Sequence, residues 1–382
     1  MRKLNSDYMN FYQKLLEFDT KDNLSLVSGV AGQIILLKHL RVNKLITDIE
    51  YKQFINRYMQ KISLNIESMM YAGLWTGISG VGLALHYLND NSSSEFLNKI
   101  TITVENFLEE FLTEKKETYF LCEMDIINGI SGCVIFLYKV SKNKKILEKS
   151  IEFILSKLIE FKKYYENNIF YEVFLKMKNN YDLGIAHGIP GFMLVSMKFY
   201  HITENMDTKR KIKEVLMFIL TLFDENKKYY KNIIYWNGVL SAFEKNEKAY
   251  LFDGIDVSWC YGLLGHTHFL IESYKFLNKY EEYQMISQNF IDLFTVLDDY
   301  IDKFELIVCH GIGSVFYYIL KVNYKNDILL KKYKAYFFKR FSSFICKKNI
   351  DFDLLVGDLG IGIVSLSLLC EKTFLGDDIL FP

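Results

Sequence analysis

Proline is almost absent. The 382 residues hold two, Pro190 and Pro382, and the second is the last residue. So few breakers exclude a turn-rich β architecture and favour long helices. Net charge is absent too, because 46 Lys and Arg balance 46 Asp and Glu. That excludes the broad basic surface of a nucleic-acid binder. The Lys-rich stretch 331–348 reads instead as the solvated face of a surface helix. Long apolar runs are also lacking. The strongest, 215–223 and 361–369, fall well short of the roughly 18 residues that span a membrane. Met1-Arg2-Lys3-Leu4-Asn5-Ser6-Asp7-Tyr8 has no signal-peptide core. The expected location is therefore the cytoplasm, where thiols stay reduced.

Cysteines number six, and in that setting they serve packing or metal binding before disulfides. Cys122, Cys133, Cys346 and Cys370 have apolar sequence neighbours and are expected to fill core. Cys260 and Cys309 differ. Each stands just before a glycine and an apolar run, in Ser258-Trp259-Cys260-Tyr261-Gly262 and Ile307-Val308-Cys309-His310-Gly311. With His310 they make two thiolates and one imidazole. Three protein ligands leave a tetrahedral zinc one open position, the count of a catalytic site and not of a structural one.

What the chain has in abundance is apolar and aromatic residues, 50% and 16%, enough for a large core. It also has a repeat. Gly-x-x-Gly followed by an apolar run recurs at Gly29/Gly32, Gly77/Gly80, Gly129/Gly132, Gly188/Gly191, Gly262/Gly265, Gly311 with Ser314 in second place, and Gly357/Gly360. The steps between first glycines are 48, 52, 59, 74, 49 and 46 residues, room for two helices each. Runs such as Ile34-Ile35-Leu36-Leu37 are apolar on nearly all sides and should be buried. The segments between them are amphipathic. Thr47-Asp48 can cap a helix towards Glu67 that places Phe54, Ile55, Tyr58 and Ile62 on one face. Asp207 similarly precedes a helix over 211–223, and 280–298 reads as another.

Seven alternations of this kind predict an all-α fold, an α/α toroid with seven inner and seven outer helices, as a single domain over 1–382. The long step after Gly188 contains 227–251, rich in Tyr, Ile and Trp and marked by Asn237-Gly238. It reads as an insertion with a small β hairpin. Inner helices that run in one direction bring the residues before each glycine pair to one end. Those residues are Val27-Ser28, Trp75-Thr76, Ile127-Asn128, Ala186-His187, Cys260-Tyr261, Cys309-His310 and Leu355-Val356. Ligand-type side chains fall only in the fourth, fifth and sixth. A lone buried cysteine or histidine is more often packing than chemistry, but a shared phase in the repeat makes coincidence improbable. His266 and His268 are competing ligands; two apart on a helix they share no face, and they read as buried histidines.

These motifs on a seven-fold repeat resemble the lanthionine synthetase C-like family, and within it the stand-alone lantibiotic cyclases, from Leu26 to about Leu369. The resemblance implies one zinc per chain held by Cys260, Cys309 and His310. It implies an acid/base histidine, His187, in Ala186-His187-Gly188-Ile189-Pro190-Gly191. It also implies an assisting aspartate, Asp125, four residues before Gly129-Ile130-Ser131-Gly132, and a site tyrosine, Tyr261. From the residues alone Asp125 also reads as a helix-capping aspartate, and Tyr261 as a core aromatic. The pattern departs from the family at Asp253 and Asp256, where a basic residue is common, and at Gly262-Leu263-Leu264-Gly265, which lacks a proline. It departs again at Ser314, where a glycine is expected.

The implied reaction adds peptide cysteine thiolates to dehydroalanine or dehydrobutyrine, forming (methyl)lanthionine rings in a lantibiotic precursor. Free thiols ionise near pH 8.5 and need activation, whereas an imidazole, with an ordinary pKa of about 6.5, suits the proton donor. The implied partners are a dehydrated precursor peptide, a dehydratase and a peptide transporter, with no nucleic acid and no membrane span. Association with a membrane would be peripheral, through a biosynthetic complex. Two alternatives stand beside this: a non-catalytic zinc-bearing scaffold that binds peptide, and a transferase adding glutathione to dehydroamino acids.

Overall fold

The computed structural model describes residues 6–69, 71–89, 93–114, 121–141, 143–167, 183–203, 205–230, 233–236, 256–297, 304–321, 327–346 and 349–371. They form two compact units. One comprises 1–71, 75–100 and 304–380; the other comprises 72–74, 101–303 and 381–382.

In the first unit, helices led by a glycine pack side by side. Ile312–Lys321 lies on Asp358–Cys370, which lies on Val30–Val42, which lies on Ile78–Leu88. The last repeat thus sits beside the first. These helices are buried almost all round: Ile78 to Leu85 has no exposed residue, and neither has Asp358 to Leu368. Their amphipathic companions are Asp48–Asn65 and Asp327–Phe344. Thr47 caps the former as expected. Its hydroxyl accepts the Glu50 N–H at 3.2 Å and the Glu50 carboxylate accepts the Thr47 N–H at 2.8 Å, a box of about 1 kcal/mol. The helix ends at Asn65, short of Glu67, because the chain tightens into a 3₁₀ turn at Ile66–Ser68.

One amphipathic helix went unforeseen in the sequence. Ser6–Glu17 packs on Val30–Val42 and on Asp358–Cys370, burying Phe11, Tyr12, Leu15 and Leu16. It serves the seventh repeat from the opposite end of the chain. Buried Gln33 fixes its end by donating to the carbonyls of Leu15, Leu16 and Phe18.

In the second unit, Ile130–Val140 packs on Ile189–Phe199, which packs on Leu263–Leu277. The amphipathic helices Lys144–Glu166, Met206–Glu225 and Tyr280–Leu297 cover them. Met206–Glu225 starts earlier than 211, since Asn205 and not Asp207 caps it, accepting the Asp207 N–H at 2.8 Å. The expected hairpin is present: Lys227–Tyr230 pairs antiparallel with Ile233–Trp236. Its connection falls at 231–232, and Asn237-Gly238 lies outside the described residues. Buried Asn289 clamps the hairpin by bonding both the N–H and the carbonyl of Ile234, at 2.7 and 2.9 Å.

Two of the four cysteines expected in the core are not there. Cys133 is buried, but Cys346 is exposed and Cys370 only half-buried. Cys370 is the last residue of its helix, and Cys346 lies in the turn that follows Asp327–Phe344. The Cys122 side chain lies outside the described residues. Tyr333, Phe337 and Phe341 carry the buried stripe of Asp327–Phe344, while Lys331, Lys332 and Lys339 face solvent as expected.

Candidate active site

Five of the seven glycine-led helices are preceded by the same turn. The N–H just after the first glycine donates to the carbonyl six residues before that glycine: Val30 to Asn23, Ile78 to Tyr71, Leu263 to Asp256, Ile312 to Glu305 and Asp358 to Asp351, at 2.6–3.1 Å. The glycines are there for space. A Cβ at Gly265 would fall on the Trp259 carbonyl oxygen, which belongs to the turn and cannot yield. In the sixth repeat this close approach has moved by one residue. Gly313 lies against the Leu306 carbonyl, while buried Ser314 turns its hydroxyl to donate to the Gly311 carbonyl at 3.3 Å. The departure at Ser314 is therefore absorbed by its neighbour.

Neighbouring turns are stitched by backbone. Ile126 N–H donates to the Ala186 carbonyl at 3.2 Å, Cys309 N–H to Leu355 at 2.7 Å, Leu354 N–H to Val27 at 2.7 Å and Val27 N–H to Trp75 at 3.1 Å. The first of these brings Asp125 to His187. The imidazole Nδ1 lies 2.6 Å from Asp125 Oδ2. The other oxygen, Oδ1, accepts the N–H groups of Asn128 at 2.6 Å and Gly129 at 2.8 Å. Asp125 is fully buried and His187 keeps 37% of its side chain exposed. The capping and assisting readings of Asp125 are thus compatible, one oxygen for each. A carboxylate can only accept, so Nδ1 carries a proton and Nε2 is the nitrogen that exchanges one. Tyr261, half-buried, sets its ring 5.9 Å from that of His187 at 27°.

Cys260 is buried, and its turn is built from side chains. Asp256 Oδ1 accepts the Ser258 N–H at 2.7 Å, and Ser258 Oγ accepts the Tyr261 N–H at 3.3 Å. Asp256, which stands near the place of a basic residue in the family, is thereby engaged in its own loop. Asp253 lies outside the described residues. Cys309 is buried and His310 half-buried; Cys309 Sγ lies 3.8 Å from His310 Nε2. Two ligands of one tetrahedral zinc, at 2.3 and 2.0–2.1 Å, stand about 3.6 Å apart. The pair fits the edge of such a site, and a thiolate with an imidazole is a donor set zinc accepts.

His266 is not part of this. It is fully buried with its ring edge-on to Phe223 and near Trp236, and burial pushes its pKa down to about 3 against a small opposing effect of the Leu183 backbone. His268 is also buried. Both match the packing reading.

A family model described as lanthionine synthetase C-like protein matches residues 20–379. The chain belongs to that family. A comparison by sequence with curated proteins found no match. Among solved structures, nisin cyclase superposes with a TM-score of 0.76 over 98% of this chain and 97% of that one, at 16% identity. The likeness shows the shared fold, an α/α toroid. Within this member of the lanthionine synthetase C-like family, the motif reading gave Ser258 no role and took Asp256 only as a departure from the pattern, where both build the turn. Their signal was available: Asn23 and Ser25 stand at the same two places before Gly29 and make the same bonds.

Proposed function

We propose that this chain is a zinc-dependent cyclase that forms (methyl)lanthionine rings by adding cysteine thiolates to dehydroalanine or dehydrobutyrine within a dehydrated lantibiotic precursor. The observation that carries the reading is the His187–Asp125 pair at 2.6 Å, half-exposed on one side and buried on the other, in a member of this family. A mere binder has no need of an acid fixed in one tautomer.

The metal site of the reading is Cys260, Cys309 and His310, one zinc per chain. It is supported by the 3.8 Å edge above, and by the place of Cys260 just before its glycine, the place Cys309 and His310 hold in the next repeat. Bound there, zinc supplies the Lewis acidity that keeps a thiol deprotonated near neutral pH. The protein's own groups do the remainder. As the substrate sulfur bonds to the β-carbon, the alkene electron pair shifts to the α-carbon side as an enolate. His187 gives its Nε2 proton to that α-carbon, and the Asp125 carboxylate, holding Nδ1–H, orients the ring and offsets its charge. Tyr261, beside the imidazole, limits its rotation. The proposed partners are the dehydrated peptide, a dehydratase and a transporter. Among the described residues no helix is long and apolar enough to cross a membrane.

The test uses a dehydrated precursor, thiol alkylation and mass spectrometry, because ring closure leaves peptide mass unchanged. Wild-type protein should consume the thiols. His187→Ala should keep metal and fold yet slow closure by about 10² to 10⁴, the usual worth of general acid/base help. Peptide binding without thiol consumption would favour the scaffold reading, and consumption only of added glutathione the transferase reading.

A further inference from the structure

Four of the seven turns use one side-chain device. The residue four before the first glycine accepts the N–H of the residue just before that glycine: Ser25 from Ser28 at 3.3 Å, Asp125 from Asn128 at 2.6 Å, Ser258 from Tyr261 at 3.3 Å and Asp353 from Val356 at 2.9 Å. The acceptor atom closes the turn, and what is left over on the side chain is available for another task. In the third repeat the spare atom is Asp125 Oδ2, and it orients His187. In the fifth repeat the spare group is the Ser258 hydroxyl proton. Ser258 is fully buried, and its Oγ lies 3.8 Å from Cys260 Sγ. With the thiol present, S–H donates to Oγ. A ligand sulfur carries no proton, so across the same contact only the hydroxyl can donate. Tyr261 N–H already occupies one lone pair of Oγ, which leaves O–H directed away from it.

We propose that Ser258 is a positioning residue for the metal site: it does for Cys260 what Asp125 does for His187, donating its hydroxyl proton to the ligand sulfur while its oxygen locks the Tyr261 N–H. This rests on the metal site proposed above. Hydrogen bonds to ligand sulfurs lower the energy of the sulfur electrons and aim the lone pairs, and outer partners of this kind are typically worth 10- to 100-fold in metal affinity. The bland reading is that Ser258 only closes a turn, as Ser25 does with an identical pair of bonds and no ligand beside it. Ser25 therefore provides the internal control.

The experiment is cobalt(II) titration of the full chain, followed by its sulfur-to-cobalt charge-transfer absorption, with zinc affinity from chelator competition. Ser258→Ala should move the charge-transfer band to longer wavelength and weaken zinc about 10-fold or more. Ser258→Thr, which keeps the hydroxyl, should restore both, whereas Ser258→Val, of the same shape without it, should not. Ser25→Ala should alter neither, although it removes the same turn bond. An unshifted band and unchanged affinity in Ser258→Ala overturn the proposal. If that variant does not fold, identical spectra for the Thr and Val variants overturn it instead. A wild-type chain that binds no cobalt sinks the metal site along with it. A wild-type site that binds cobalt through sulfur and ignores Ser258 sinks this inference alone.

Discussion

Asp125 and Asp353 hold the same place in the third and seventh repeats, and the comparison separates scaffold from chemistry. Each stands four residues before its glycine and spends one oxygen on the backbone. Asp125 Oδ1 takes Asn128 and Gly129; Asp353 Oδ1 takes Leu355 and Val356, at 2.7 and 2.9 Å. Each turn is also bonded to the turn of a neighbour, through Ile126 to Ala186 and through Leu354 to Val27. The difference lies in what the neighbour offers just before its own glycine. The fourth repeat presents His187 there, and the first presents Ser28. Asp353 is half-buried, and desolvation pushes its carboxyl above the ordinary range against the pull of its two N–H donors. The turn is thus a generic way of starting a buried helix, and chemistry arises where its spare atom meets a reactive neighbour.

Cysteine removal should separate the two roles most sharply. Cys309 lies next to the Asp353 turn through its backbone N–H, which bonds the Leu355 carbonyl. Cys309→Ala keeps that bond and removes the sulfur. The expected result is loss of zinc in metal analysis and of ring closure, with helical circular dichroism unchanged, since the glycine-led helices bury the core without an ion. Full zinc in this variant would discard Cys309 as a ligand; collapse of the helical signal would make the site a structural one.

A smaller effect concerns acid stability, at a histidine of the fold and not of the site. His266 has a folded pKa of about 3, well below the ordinary 6.5 of an unfolded chain. Its contribution is fully present above pH 6.5 and is lost as pH falls from there towards 3. His266→Phe should therefore lose about 2 kcal/mol less than wild type between pH 7 and pH 5, seen in denaturant midpoints at each pH. Parallel pH curves for the two proteins would show that His266 does not stay neutral in its pocket.

Much of this was legible beforehand because the repeat is enforced by close contacts. A Cβ at Gly191 or Gly360 would strike the carbonyl three residues before the first glycine of its pair, so the spacing has to persist in the sequence. The phase of Cys260, Cys309, His310 and His187 within that spacing then pointed to one end of the repeats. What stayed hidden depends on partners far along the chain or on small trades between neighbours. Ser6–Glu17 has no glycine signal, and the helix it covers begins at Asp358. Gly313 takes over a role that motif counting assigns to Ser314. Asp256 looked like a charge at the site and is a turn residue. Cys346 has apolar neighbours in sequence, but it lies in the turn after Asp327–Phe344 and is exposed.

The most direct test of the account is to apply one substitution at both equivalent aspartates and compare rates of thiol loss on a dehydrated precursor. Asn keeps an oxygen for the turn but puts an amide where the second carboxylate oxygen stood. Asp125→Asn should slow closure at least about 10²-fold, since the imidazole loses the acceptor that fixes its tautomer, with stability close to wild type. Asp353→Asn should close rings at the wild-type rate with the same stability. Equal rates for the two variants, whether both fast or both slow, would contradict the claim that a shared turn carries chemistry only where its spare oxygen meets His187.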